Sequence, residues 1–376
     1  MLNQSFHSVC AWTFNAGKGG FTPGNIRPQW SGDKLDTVAK IKLAKEQIIP
    51  RLPEHIVLGF EMHYDYEFDD NNASRISDAL TQAGIPVAMT TPGLHPHMGY
   101  GGPASLDPNE RTWADRYTKR TIELTYKAFK PNWHPKHAPT LVLWNGSWGY
   151  DLGTPAIRQM MQHLKESIAG LVAFEAELGG ELFWGLEPKP NEGHPAMLLP
   201  TVASAIAFWY KLRDEFGITL DKKGINKEIG HSEMIGLDAI LDTVEELDHQ
   251  MMTHSHLNSQ GYNDGIILGG PGKFDIDHGV RVNGFNISLA RLMQDAGYVR
   301  WKGHDMQPRP YDNERQAVDR VVRSILSWEA CEMAARELDM AALTSLLVDR
   351  ESAKAEDMMM DSVSTAIRHF RSMYQK

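Results

Sequence analysis

The chain has 376 residues, 42% of them hydrophobic and 23% charged, and a formal net charge of −10. That length can bury a large core in one domain, and the balance is ordinary for a soluble globular protein. Such acidity argues against a general nucleic-acid or anionic-membrane binder, and two distant cysteines, Cys10 and Cys331, make no disulfide framework and fit a reducing cytoplasm.

No basic region leads into an apolar signal core, and no apolar run approaches a membrane span. In chain order, Val9–Phe14 reads as a strand, followed by a Gly/Pro-rich loop and a helix over Leu35–Ile49 with apolar positions at Val38, Ile41, Ala44 and Ile48. Ile56–Phe60 is the second strand and leads into Glu61-Met62-His63; a helix near Ser74–Ala83 and a strand at Ile85–Met89 come next. After a long loop with His95 and His97, the pattern gives a helix over Arg111–Tyr126, a strand at Thr140–Trp144 and a helix over Pro155–Leu178. Leu182–Leu186 is the fifth strand and Leu198–Glu215 a helix. The later strands, Asn226–His231, Met251–His256 and Tyr298–Trp301, are weaker by propensity, with polar ends.

Repeated strand–helix units imply parallel strands with crossover helices. About eight fit before residue 310, which predicts an α/β fold, a (β/α)8 TIM barrel over residues 1–312. An open doubly wound sheet is the alternative, but no G-x-G-x-x-G follows the first strand. Residues 313–376 read as a helical extension, packed either on a neighbouring subunit or on its own barrel.

The organising stretch is Trp184-Gly185-Leu186-Glu187-Pro188-Lys189-Pro190-Asn191-Glu192. Prolines keep it extended, and alternation then sends Glu187 and Lys189 to the same side. Metal-capable residues recur at the ends of successive strands: Glu187, Glu228, His231, His256, Asp275, Asp277 and Asp305. Each alone has an ordinary reading, and a lone His after a strand is more often a core or loop residue than a ligand. Together they point to a cation, because burying so many carboxylates without one is very costly.

These motifs resemble the xylose isomerase family of metal-dependent sugar isomerases. The resemblance rests on Glu187-Pro188-Lys189-Pro190-Asn191-Glu192, Glu228-Ile229-Gly230-His231-Ser232-Glu233-Met234, Lys273-Phe274-Asp275-Ile276-Asp277 and His304-Asp305-Met306-Gln307-Pro308, with Trp12-Thr13, Met89-Thr90-Thr91 and Val142-Leu143-Trp144 upstream. It implies two divalent cations bridged by Glu228. The first would be held by Glu187, Glu228, His256 and Asp305, the second by Glu228, His231, Asp275 and Asp277. His63 would assist ring opening, Lys189 would stand by the carbonyl oxygen of the open sugar, and Asp277 would take a proton through a metal-bound water. Trp12, Thr90, Val142 and Trp144 would line the sugar pocket, and Phe21 would reach into a neighbouring subunit's.

The chain departs from that pattern in four places. His256 stands where an aspartate is usual, which predicts a softer site favouring Mn²⁺ or Co²⁺ over Mg²⁺. Tyr66 replaces the aspartate that should orient His63, so that partner stays open. Gln307 replaces a lysine, and the loops after Thr91 and His256 differ from the usual ones.

The expected activity is interconversion of an aldose and its ketose by a metal-assisted hydride shift. Another reaction on the same barrel, such as epimerisation or processing of a modified glycoside, and a sugar-binding protein without turnover are the alternatives. The expected partners are a monosaccharide and further copies of the chain, as a dimer or tetramer, in the cytoplasm.

Overall fold

The computed structural model describes residues 4–14, 35–144, 146–147, 154–190, 196–259, 279–308 and 312–375. Eight parallel strands close on themselves in sequence order: β1 (Ser5–Cys10), β2 (Ile56–Tyr64), β3 (Val87–Pro92), β4 (Thr140–Leu143), β5 (Phe183–Leu186), β6 (Lys223–Glu228), β7 (Met252–His256) and β8 (Lys302–His304). The crossovers are α1 (Thr37–Leu43), α2 (Ala73–Ala83), α3 (Pro108–Lys127), α4 (Thr154–Glu177), α5 (Val202–Phe216), α6 (Ile229–Met234), α7 (Ala239–Asp248) and α8 (Gly284–Asp295). The fold is the expected TIM barrel.

Strand alternation sorts each side chain outward to the helices or inward to the lumen. Leu58, Phe60, Met62 and Tyr64 of β2 pack with Ile41, Ile76 and Val321 from the surrounding helices. Gly59, Glu61 and His63 therefore face the lumen. Phe6, Ala88 and Trp301, with Val57 against them, plug its lower end.

Two irregularities adjust this alternation. Phe60 pairs with Val87 and Glu61 with Met89, leaving Ala88 as an extra residue in β3; Ile225 pairs with Met252 and Asn226 with His254, leaving Thr253 extra in β7. One inserted residue resets which side chains face inward.

β1 meets its expected range only at Val9 and Cys10, and β8 lies apart from its own. Trp12 and Thr13 fall in a short 3-10 turn, Ala11–Phe14, beyond the end of β1. Trp301 is part of the lumen plug, and the strand is instead Lys302-Gly303-His304, pairing with both β1 and β7. The expected boundary after residue 312 separates the barrel from its own last helix. α9 (Glu314–Glu337) buries Val318, Val321, Val322, Ile325 and Leu326 in the cluster around β2, and Trp328 and Cys331 in the one around α8. What extends past the barrel is α10 (Met340–Val348), which buries none of its residues, and α11 (Ser352–Tyr374), whose Phe370, Met373 and Tyr374 pack on the α9 cluster.

Outside the lumen, fully buried Glu246 of α7 has no hydrogen-bond partner on either carboxylate oxygen among the described residues, with Lys227 Nζ 4.0 Å away. Burial, helped by the Asp242 charge and opposed by Lys227, raises its pKa from 4.5 to about 8. The unfolded chain thus releases this proton near pH 4.5 while the fold keeps it to about pH 8. Stability accordingly falls as pH rises through that window, by up to roughly 5 kcal/mol. Glu246→Gln should flatten this slope in thermal melts from pH 5 to 9; parallel melting profiles for the two proteins would contradict it.

Candidate active site

The site stands at the C-terminal ends of the strands, where loops following a rigid barrel present functional groups. Glu187 follows β5 directly, Glu228 and His256 end β6 and β7, and Asp305 follows β8. His256 Nδ1 lies 3.3 Å from Glu228 Oε2, 3.5 Å from Asp305 Oδ2 and 3.9 Å from Glu187 Oε2. Donors aim the carboxylates: Asn226 Nδ2 to Glu187 at 2.6 Å, Asn258 Nδ2 to Glu228 at 2.8 Å and Trp12 Nε1 to Asp305 at 2.8 Å.

Charge in this cage is unbalanced. Burial, and then repulsion from Glu228, raise the Glu187 pKa despite His231, His256 and Lys189. Burial disfavours charge on His256 too, but Glu61 and the Glu228 and Asp305 carboxylates hold it well above the usual histidine range. Glu187, Glu228 and His256 each offer a ligand atom within 4.8 Å of the others, and all three are buried. Three carboxylates and one imidazole suit a divalent cation that accepts both oxygen and nitrogen. The residues fit one such ion.

His231 flanks the cage. Its Nδ1–H donates to the Pro188 carbonyl at 3.0 Å, which turns Nε2 to within 3.0 Å of Glu228 Oε1. Glu228 therefore stands between two imidazoles. Asp275 and Asp277, expected to complete the second ion's shell, lie outside the described residues, and so does Phe21.

Above the cage is an aromatic wall. Trp12 lies 4.3 Å from the His63 ring, and Trp144 lies 6.2 Å from it on the other side. Lys189 Nζ is 4.8 Å from the centre of the Trp144 ring, and Val142 faces the lumen because Leu141 and Leu143 pack outward. Thr90 does not join them. The extra residue in β3 turns it outward, where its hydroxyl meets Thr125 of α3 at 2.9 Å, and Thr91 stands beside His63 instead.

Several members were missed in the sequence. The partner of His63 is Glu67: its Oε2 accepts from His63 Nδ1–H at 3.0 Å and from the His63 backbone N–H at 2.9 Å. A tight turn with Asp65 at φ 68° folds the chain back so that the fourth residue after His63 reaches its ring. Burial pushes the Glu67 carboxyl up, but His63 and Lys40 outweigh it and leave the carboxyl lowered. Tyr66, at the position that usually carries the orienting aspartate, is 57% exposed. His95, 3.9 Å from Trp144 and 5.0 Å from His63, completes the wall. Asn226, Asn258, Glu61 and His254 were missed too; their one signal was a place on, or two residues past, strands that already carried candidate site residues.

If Glu67 fixes the His63 tautomer for a proton transfer, Glu67→Gln should lower kcat by about 10- to 100-fold and leave metal affinity unchanged. Unchanged kcat in steady-state assays would remove Glu67 from the reaction.

No family model matches the chain. Its fold is that of the xylose isomerase-like TIM-barrel sugar epimerases and isomerases. Among solved structures it is similar to a xylose isomerase-like protein of Rhodospirillum rubrum (TM-score 0.60, 14% identity, 87% of this chain and 99% of that one). It is also similar to an L-ribulose 3-epimerase (0.59, 13%, 89% and 96%) and to a D-allulose 3-epimerase from Methylomonas in complex with D-allulose (0.56, 11%, 86% and 96%). At such identities the likeness establishes the fold.

Proposed function

We propose that the chain is a divalent-metal-dependent enzyme that interconverts an aldose and its ketose. The observation that carries this reading is the convergence of Glu187, Glu228 and Asp305 on His256 Nδ1, within 3.9 Å, beneath an aromatic-walled mouth. Glu187, Glu228, His256 and Asp305 would hold one cation; Glu228 and His231 would share a second with Asp275 and Asp277. When bound, the metal supplies a Lewis acid for the hydroxyl and carbonyl oxygens of the sugar.

The chain's own groups do the rest. His63, steadied by Glu67, exchanges a proton with the ring oxygen so that the sugar opens. Lys189 Nζ, 3% exposed as a residue, stabilises negative charge on the carbonyl oxygen as hydrogen moves between C1 and C2. Trp12, Trp144 and Val142 exclude water, which favours direct transfer of that hydrogen over exchange with solvent. The expected assembly is a homo-oligomer through the C-terminal α10–α11 pair, and a monomeric mass by light scattering would count against it.

A second reading is epimerisation of a ketose, because two of the similar structures are 3-epimerases. Turnover of aldose and ketose panels in deuterated water with Mn²⁺, Co²⁺ or Mg²⁺ separates the two. Ketose formed from aldose without solvent label supports the isomerase. Label at C3 of an epimerised ketose supports the epimerase. No turnover of either panel sinks both.

A further inference from the structure

We propose that Glu61, in the lumen beneath the cage, is the positioning residue that sets the tautomer and aim of His256. The inference rests on the metal reading above.

Glu61 is fully buried on β2, and its carboxylate is held from four directions. Ser8 Oγ donates at 2.5 Å, Cys10 Sγ at 3.4 Å, His254 Nε2 at 3.1 Å and His256 Nε2 at 2.9 Å. A carboxylate only accepts, so the last contact puts a proton on His256 Nε2. Nδ1 is thereby the atom turned to the three cage carboxylates; with no ion it too donates, to Glu228 Oε2 at 3.3 Å, and a cation would displace that proton and take the Nδ1 lone pair. A carboxylate behind a ligating imidazole fixes the ring and raises its basicity.

The barrel reserves room for this pair. A Cβ at Gly303 on the neighbouring β8 would come within 2.4 Å of Glu61 Oε1 and 2.7 Å of His256 Cδ2. The extra residue in β7 adjusts the pairing so that His254 and His256 both face inward, where one carboxylate serves both. Cys10, Glu61 and His256 also bring ligand atoms within 4.8 Å of one another. Glu61's oxygens are already occupied by four donors, so these contacts form a hydrogen-bonded support and not a coordination shell.

The test is Mn²⁺ titration of metal-stripped full-length protein, read by calorimetry. Glu61→Gln should weaken binding about 10- to 100-fold. In a His256→Asp background, with no imidazole left to aim, the same change should shift affinity by less than about threefold. Equal losses in both backgrounds, or no loss in the first, overturn the proposal. A lost ion in Cys10→Ala overturns it as well, by making Glu61 a ligand. Should Glu61→Gln fail to fold, histidine ¹⁵N spectra of the Mg²⁺-saturated native protein decide: a proton on His256 Nε2 supports the assignment, and a proton on Nδ1 refutes it. Absence of any binding by the native protein would instead strike the metal reading.

Discussion

Glu228→Gln should reduce Mn²⁺ affinity by more than about 100-fold and abolish turnover, the largest single loss expected from the cage. Glu228 Oε1 faces His231 at 3.0 Å while Oε2 faces His256 at 3.3 Å, and Asn258 steadies the group. An amide of the same shape keeps one acceptor but loses the charge, and its NH₂ points a donor where a cation would sit. On the proposed two-ion reading both ions depend on this carboxylate, so calorimetry should show both sites lost together. Asp305→Asn should be milder and confined to the first site, because Asp305 stands at the rim and is already partly engaged by Trp12. A loss below tenfold in Glu228→Gln would mean that the bridge does not exist.

Lys189→Met should lower kcat by about 10²- to 10³-fold with metal affinity nearly unchanged. The ammonium is 4.8 Å from the centre of the Trp144 ring, in a wall that also holds His63 and His95. Its charge is among the influences that restrain the raised Glu187 pKa, so it sits close enough to oppose negative charge there. Methionine fills similar volume without that charge. A change confined to KM would assign Lys189 to substrate binding alone.

The barrel was legible because crossover helices and apolar strands carry different periods, and because strands that end in His, Asp or Glu mark the C-terminal face. Glu187, Glu228, His256 and Asp305 could be read as a group because each closes a strand or follows one immediately. Thr90 could not be placed, since an extra residue inside β3 leaves no mark in its composition yet reverses everything after it. Glu67 was hidden by the turn at Asp65, which defeats alternation. α6, α7 and α8 went unrecognised among polar, motif-rich stretches whose residues drew a chemical reading. α9 looked like an appendage because its charge obscured how much of it is buried.

The apolar plug of Phe6, Ala88 and Trp301 has a consequence for traffic inside the molecule. Ser8, Glu61, Cys10 and His254 are sealed from below, so the barrel is a cul-de-sac whose open end passes His256. Solvent hydrons reaching that inner tier must queue behind this imidazole. An ion seated on the cage would cork the route, and the exchange clock of the buried tier would then slow whenever the mouth is occupied.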